Sequence, residues 1–225
     1  MNKNNYINLA KKSANLQINE LKKISKVFNK SFIRAVDLIL NCKGKVIFAG
    51  IGKSGLIARK ISATFSSIGI PSFFCDPAQA LHGDMGQMEK KDILIIFSYS
   101  GNTSELSNML KYANRFRIKI IGVASKADSL LLKASDIKIL LPKVKESDIT
   151  GMVPTSSTSI TMLLGDCLAT TVMVKRKFSK EKFKIYHPGG NIGGSLLLAK
   201  DIMITGKKLP LIKVNSKLIE GLKTM

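Results

Sequence analysis

A glycine-rich turn after a short apolar run is the first feature of this chain that could carry chemistry. The motif Gly50–Gly55 follows Val46–Ala49 directly and contains Lys53 and Ser54. The apolar run indicates a buried strand, and residues 54–67 have helical spacing. Free N–H groups and the helix dipole favour an anion at such a junction. The motif matches neither Walker A nor G-x-G-x-x-G spacing. It therefore predicts a phosphate site or, alternatively, an ordinary strand-to-helix turn.

Two further loops combine hydroxyl groups with a predicted helix start. One follows the most hydrophobic strand and leads to Glu105; the other follows Pro154 and opens a long apolar helix. Hydroxyls and helix N-termini can donate hydrogen bonds to a phosphate. The alternative is simple helix capping by Asn102 or Thr103, with Glu105 as a favourable first-turn acid. The candidate hydroxyls are Ser98, Ser100, Thr103, Thr155, Ser156 and Ser157.

Side chains that could move protons are scarce in this chain. It has two histidines, His82 and His187, both in glycine-flanked polar loops, and six glutamates. Glu105 lies at the end of the loop that begins at Ser98, and Glu146 lies shortly before the loop that follows Pro154. A lone loop histidine is usually a solvated group, and Glu146 taken alone is a surface charge among lysines, so a function for any of these residues needs further support.

The elements that must position these residues alternate between strand and helix. Such alternation predicts an α/β fold, a doubly wound three-layer sandwich with a mostly parallel central sheet. Ligands of such sheets bind beyond the carboxyl ends of the strands, where the three loops lie. The predicted strands are 46–49, 72–75, 92–98, 118–124 and 136–141; the predicted helices are one or two within 7–41, then 54–67, 103–116 and 157–177.

Composition narrows the functional classes. The net charge is +21, but the basic residues are 31 Lys and 5 Arg spread along the chain, so we expect a solvated basic surface and no nucleic-acid partner. Three widely spaced cysteines, no signal-peptide pattern and no run of 18 apolar residues predict a cytoplasmic protein with no membrane partner. No spacing typical of a metal site is present, and no cofactor is expected.

Taken together, the three loops resemble the sugar isomerase (SIS) domain. Residues 71–74, 80–84, 154–158 and 187–190 resemble D-arabinose 5-phosphate isomerases more closely, and the resemblance covers about residues 8–212. It implies interconversion of D-ribulose 5-phosphate and D-arabinose 5-phosphate for lipopolysaccharide synthesis, without a cofactor. It also implies a homotetramer. Many members continue into two CBS domains, of which residues 201–225 resemble only the start.

The resemblance also implies roles for individual residues. Lys53, Glu105, Glu146 and His187 match catalytic positions. Substrate contacts are implied for Gly69, Ile70 and His82, for Ser54 and for the candidate hydroxyls of the loops. Two departures stand out: Asp76 replaces a histidine that can bind zinc in some members, and Tyr99 replaces a common asparagine.

The predicted organisation is an N-terminal helical segment (1–42), the SIS domain (43–200) and a C-terminal extension (201–225). Two other functions stay open: a different SIS sugar-phosphate isomerase, or a non-catalytic sugar-phosphate sensor. A sensor needs the hydroxyl loops but not the Glu and His set, and usually carries a DNA-binding segment, which is not evident here. A nucleic-acid binder would rest on charge alone.

Overall fold

Five parallel strands form the central sheet of the computed structural model, which describes residues 3–187, 199 and 203–224. The strands are β1 (Val46–Gly50), β2 (Ser72–Phe74), β3 (Ile93–Phe97), β4 (Lys119–Ala124) and β5 (Ile137–Leu140). The order across the sheet is β2-β1-β3-β4-β5. The strands β1 and β3 are buried along their whole length, which explains their unbroken apolar sequences.

Helices cover both faces of the sheet. One face packs against α2 (Lys30–Leu40), α3 (Gly52–Ser67) and α6 (Ser156–Lys175), and the other against α4 (Leu106–Arg115) and α5 (Leu130–Ala134). Alternate residues of each strand serve the two layers: Phe48 and Phe97 face the first, Ile47 and Leu94 the second. The predicted three-layer α/β class is confirmed. The helices are α1 (Lys3–Leu21), α2 (Lys30–Leu40), α3 (Gly52–Ser67), α4 (Leu106–Arg115), α5 (Leu130–Ala134), α6 (Ser156–Lys175) and α7 (Lys180–Tyr186), with 3₁₀ turns at Lys22–Val27, Gln79–His82 and Asp84–Gln87.

The chain changes direction across the sheet between β1 and β3. From β1 it runs outward through α3 to β2, and from β3 it runs the other way through α4 to β4. The loops that leave β1 and β3 therefore run in opposite directions from neighbouring strand ends, where Gly50 pairs with Phe97. Such a switch point leaves a crevice for a ligand at the carboxyl edge of the sheet.

The longest apolar helix, α6, belongs to the core. By length and composition alone it could cross a membrane, with a mean hydropathy of 1.3. Its residues Ile160, Leu164 and Leu168 are fully buried, and it packs against α3, α2 and α1. Burial on this scale is typical of the central helix of a globular domain.

The chain divides into two compact units, Met1–Tyr186 and His187–Met225. The first unit contains the sheet and α1 to α7. The helix α2 is part of its core, because Phe32, Val36 and Ile39 pack in the same buried cluster as the strand residues. The domain boundaries expected after residues 42 and 200 stay predictions. In the second unit, the described residues form a 3₁₀ turn at Gly206–Lys208 and a helix at Leu218–Thr224.

Candidate active site

A pocket of about 420 Å³ opens at the carboxyl edge of the sheet, between the loops after β1 and β3 and the start of α6. Its position agrees with the predicted switch-point crevice. A lysine, a glutamate and several hydroxyls share this space with a few apolar side chains. The lining residues are Ile51, Lys53, Ser54, Ile57, Ser98, Tyr99, Ser100, Thr103, Glu146, Gly151, Met152, Pro154, Ser157, Thr158 and Thr161.

The glycines of the first loop bring helix and strand into close contact. A Cβ on Gly55 would lie 2.6 Å from the carbonyl oxygen of Gly50, so no larger residue fits without a backbone shift. Gly52 has a φ of +57°, which favours glycine, and α3 begins there. The first turn of α3 is thereby placed at the pocket with Lys53 and Ser54, as an anion site requires.

The second loop is folded around its own hydroxyls. The Ser98 and Thr103 hydroxyl oxygens are 3.0 Å apart, and the Gly101 N–H donates to Ser98 Oγ at 3.1 Å. Gly101 has a φ of +69° and lies against Ser129. The loop therefore presents Ser98, Ser100 and Thr103 to one side of the pocket in a fixed arrangement.

Glu146 lies in the pocket at the N-terminus of α6. Its Oε2 accepts hydrogen bonds from the Thr155 N–H at 2.7 Å, the Thr155 hydroxyl at 2.9 Å and the Ser157 N–H at 3.3 Å. Burial alone would raise the pKa of Glu146, but the hydrogen bonds from Ser157 and Thr155 outweigh it and lower the pKa below its usual value. The carboxylate is therefore ionised at neutral pH.

Tyr99 connects the second loop to the segment that carries Glu146. Its hydroxyl donates to the Pro142 carbonyl at 3.2 Å and accepts from the Val144 N–H at 2.9 Å. Burial, together with the charge of Glu146, raises the pKa of Tyr99 despite the Val144 hydrogen bond, so the phenol keeps its proton.

The structure brings seven of the predicted site residues into one pocket. They come from the starts of α3 and α6, from the loop after β3 and from the segment after β5, and they include both phosphate-binding and proton-transferring candidates. The seven are Lys53, Ser54, Ser98, Ser100, Thr103, Glu146 and Ser157.

Four other predicted residues do not line the pocket. Glu105 is exposed just before α4, and the Ser104 hydroxyl, which donates to it at 2.7 Å, lowers its pKa. Thr155 holds Glu146 instead of facing the pocket. Ser156 is fully buried, and its hydroxyl has no partner among the described residues. His82 is exposed at the end of a 3₁₀ turn.

Gly69 and Ile70 lie at the opposite edge of the sheet. They precede β2, and the ring of Tyr186 covers Gly69 there. The structure therefore places them away from the pocket, because they occur at the amino end of a strand. His187 follows Tyr186 directly and begins the second unit. The motif residues Pro188, Gly189 and Gly190, with Asp201 and Ile202, fall outside the described residues.

Sequence reasoning missed several pocket residues. Thr161 lies one helical turn after Ser157 and donates to its carbonyl at 2.8 Å, so i,i+4 spacing was a usable signal. Met152 carries no signal for a pocket position, because only the course of the loop brings it there. Within the described ranges, no group of three His, Cys, Asp or Glu side chains could hold a metal ion.

The fold is a doubly wound domain with a polar pocket at the carboxyl edge of its sheet, and a known family model matches most of this domain. The SIS domain family model matches residues 39–171, more than half of the chain. The chain therefore belongs to the SIS domain family.

Relatives extend the match beyond that domain. The uncharacterized protein RP505 of Rickettsia prowazekii is 40% identical over 225 residues, which is 100% of this chain and 70% of that protein. The arabinose 5-phosphate isomerase KdsD of Escherichia coli K12 is 38% identical over 203 residues, or 90% of this chain. That match spans 62% of KdsD, less than two thirds of its length.

A solved structure is similar over most of the chain. The E. coli CFT073 protein c3406, determined in complex with arabinose 5-phosphate, superposes with a TM-score of 0.80 and is 33% identical. The match covers 84% of this chain and 100% of that one. The two chains therefore share the fold over most of their length.

Proposed function

We propose that this protein is an aldose–ketose isomerase that interconverts D-ribulose 5-phosphate and D-arabinose 5-phosphate. The observation that carries the proposal is the pocket itself, in which an ionised carboxylate, a lysine and a hydroxyl cradle share about 420 Å³. The similarity to KdsD and to the arabinose 5-phosphate complex supports the choice of substrate.

The phosphate group would bind at the hydroxyl side of the pocket. Ser98, Ser100 and Thr103 offer donors there, and Ser54 lies at the start of α3, whose free N–H groups favour an anion. Binding the phosphate away from the reacting carbons positions those carbons against the remaining side chains.

The reaction moves one proton between C2 and C1 through a cis-enediolate. A base removes the proton from C2 of the aldose, O1 gains a proton, and a proton is then returned to C1 while O2 loses its own. Glu146 is the carboxylate that faces the pocket, and its lowered pKa keeps it in the basic form. Lys53 stabilises the negative charge of the enediolate. The proton balance closes without a redox cofactor.

Further features of the proposal rest on the resemblance. Glu105 and His187 complete the proposed catalytic set, with His82 as a substrate contact. Gly69 and Ile70 lie at the other edge of the sheet and are left out of this pocket. We propose a homotetramer, and since Glu105 is exposed it can serve a site formed with a neighbouring subunit. The protein would act in the cytoplasm and supply 3-deoxy-D-manno-octulosonate synthesis for lipopolysaccharide.

The test is a direct assay of the purified protein. Incubation with ribulose 5-phosphate in D₂O should yield arabinose 5-phosphate with deuterium at C2, identified by NMR. A different aldose would indicate another sugar-phosphate isomerase. Binding of the sugar phosphate without deuterium exchange would indicate a sensor and reject the proposal.

A further inference from the structure

The C-terminal half of α1 contacts both ends of the loop that follows Glu146. The Gln17 side-chain N–H donates to Ser147 Oγ at 3.1 Å, and the Ser159 hydroxyl donates to Gln17 Oε1 at 3.3 Å. A single amide therefore spans the loop from its first residue to the first turn of α6. Gln17 is half-buried and does not line the pocket.

From Ser147, hydrogen bonds lead to Glu146. The Ser147 N–H donates to Thr155 Oγ1 at 2.8 Å, and the same hydroxyl donates to Glu146 Oε2 at 2.9 Å. Ser13, one helical turn before Gln17, also donates to Ser147 Oγ at 2.9 Å. The orientation of the Thr155 hydroxyl toward Glu146 therefore depends on where Ser147 is held.

The residue on the other side of Glu146 is held by the same helix. The Lys145 N–H donates to Glu20 Oε2 at 3.0 Å. Glu20 also pairs with Lys23, whose hydrogen bond lowers the pKa of Glu20 and keeps it ionised. Both chain neighbours of Glu146 are thus fixed to α1, more than 100 residues away in sequence.

We propose that Gln17 is a positioning residue, which orients the Glu146 carboxylate in the pocket through Ser147 and Thr155. The inference rests on the proposed isomerase function for its effect on turnover. The geometry favours this role because the two hydrogen bonds of the Gln17 amide end on the two flanks of one loop. A misplaced general base slows a reaction by roughly 10²-fold per ångström.

Gln17→Leu removes both hydrogen bonds and keeps the helix. We expect turnover to fall by about 10- to 100-fold. The value of KM should change little, because the substitution leaves the loop with Ser98, Ser100 and Thr103 intact. The matched control is Asn15→Leu, an exposed amide on the same helix, which should leave both constants unchanged. A rise in KM with unchanged kcat, or no change at all, would overturn the inference.

Ser147 offers a second route that does not depend on the stability of the Gln17 variant. Ser147→Ala should slow turnover, and Ser147→Thr, which keeps the hydroxyl, should restore it. If Gln17 acts through Ser147, the double variant Gln17→Leu/Ser147→Ala should be no slower than the slower single variant. Full additivity of the two losses would contradict the connection.

A second measurement separates this inference from the proposed function. The ¹³C titration of the Glu146 carboxyl reports its hydrogen bonds whether or not the protein is an isomerase. Loss of the Thr155 bond should raise the pKa of Glu146 in Gln17→Leu. Lys53, Lys145 and Glu20, the charged groups around it, are the same in both proteins. An unchanged titration would overturn the inference, whereas an inactive wild type with a shifted titration would reject only the isomerase.

Discussion

Thr155 holds Glu146 by two hydrogen bonds to one carboxylate oxygen, from its backbone N–H at 2.7 Å and its hydroxyl at 2.9 Å. The N-terminus of α6 and the candidate base are therefore one structural unit. The same contacts that orient the carboxylate also satisfy backbone groups at the start of the helix, where no N-cap side chain does so. Function and stability thus depend on the same carboxylate.

Glu146→Gln should slow isomerisation by roughly 10²–10⁴-fold, because the amide keeps the shape but cannot accept the carbon-bound proton. Binding of the sugar phosphate should change little, since the hydroxyl loop is intact. NMR of C2 deuterium exchange measures the step directly. Glu89→Gln, an exposed carboxylate paired with Lys91, is the control. Wild-type exchange in Glu146→Gln would reject the assignment.

Glu105→Gln and His187→Ala test the other two proton-transfer candidates by the same assay. Both should lower turnover if the site is completed as proposed. Unchanged exchange in both variants would leave Glu146 as the acid–base group and remove Glu105 and His187 from the mechanism.

The stability of the protein should depend on the ionisation of Glu146. Its pKa in the folded state lies below the usual value near 4.5, so the ionised carboxylate stabilises the fold at higher pH. That contribution is fully present above the unfolded pKa and is lost as the pH falls through the folded pKa. Urea unfolding of wild type and Glu146→Gln should therefore differ by a constant amount near neutrality and converge in acid. A difference that grows toward low pH would contradict the sign.

Ser100→Ala should weaken phosphate binding without changing the chemical step. A lost hydrogen bond to a charged group costs about 1–3 kcal/mol, which corresponds to a rise in KM of roughly 5- to 150-fold. Steady-state kinetics separate KM from kcat. Ser25→Ala, on the exposed 3₁₀ turn after α1, should leave both constants unchanged. A fall in kcat alone would contradict a phosphate-binding role.

Gly55→Ala should destabilise the fold at the pocket. The added Cβ would meet the Gly50 carbonyl oxygen at 2.6 Å, and because that atom is backbone, α3 must move away from β1. Overpacking of this kind costs about 1–3 kcal/mol of unfolding free energy. Gly86→Ala, with nothing within 4 Å of the new Cβ, is the control. Equal urea midpoints for the two variants would refute the close contact.

Turnover should be unaffected by extensive EDTA treatment. Lys53 and the hydrogen-bonding groups can stabilise the enediolate charge, and the described residues offer no cluster of three metal ligands. Activity assays before and after chelation, and after Zn²⁺ or Mn²⁺ is added back, measure this. Loss of activity that a metal restores would reject the mechanism.

The sequence predicted the sheet well because its signals are local. The run Ile93–Phe97 is apolar throughout and short, which favours a strand buried on both faces. The sequence predicts that α4 begins at 103, but the helix begins at Leu106, because the Thr103 hydroxyl bonds to Ser98 and does not cap the helix.

The partners of Glu146 could not be predicted in this way. Thr155 is nine residues away, and Ser13 and Gln17, which hydrogen-bond to the neighbouring Ser147, lie on a different helix, so only the folded chain brings them together. The same holds for Gly69 and Ile70, whose resemblance to a substrate-binding motif carries no information about which edge of the sheet they occupy. Residue types indicated the chemistry, but tertiary packing decided which residues share a pocket.

Tyr99 connects the loop after β3 to the segment that carries Glu146. Its backbone belongs to the loop that would hold the anion, and its phenol is bonded to Pro142 and Val144, shortly before Glu146. A ligand that favours one arrangement of the loop therefore also favours one arrangement of the base. The Tyr99 side chain therefore links the loop that would receive the phosphate to the segment that carries the base. Order in the anion-binding loop and order in the base segment then share one tyrosine, so a change at position 99 would disturb both, whereas a change confined to either side need not.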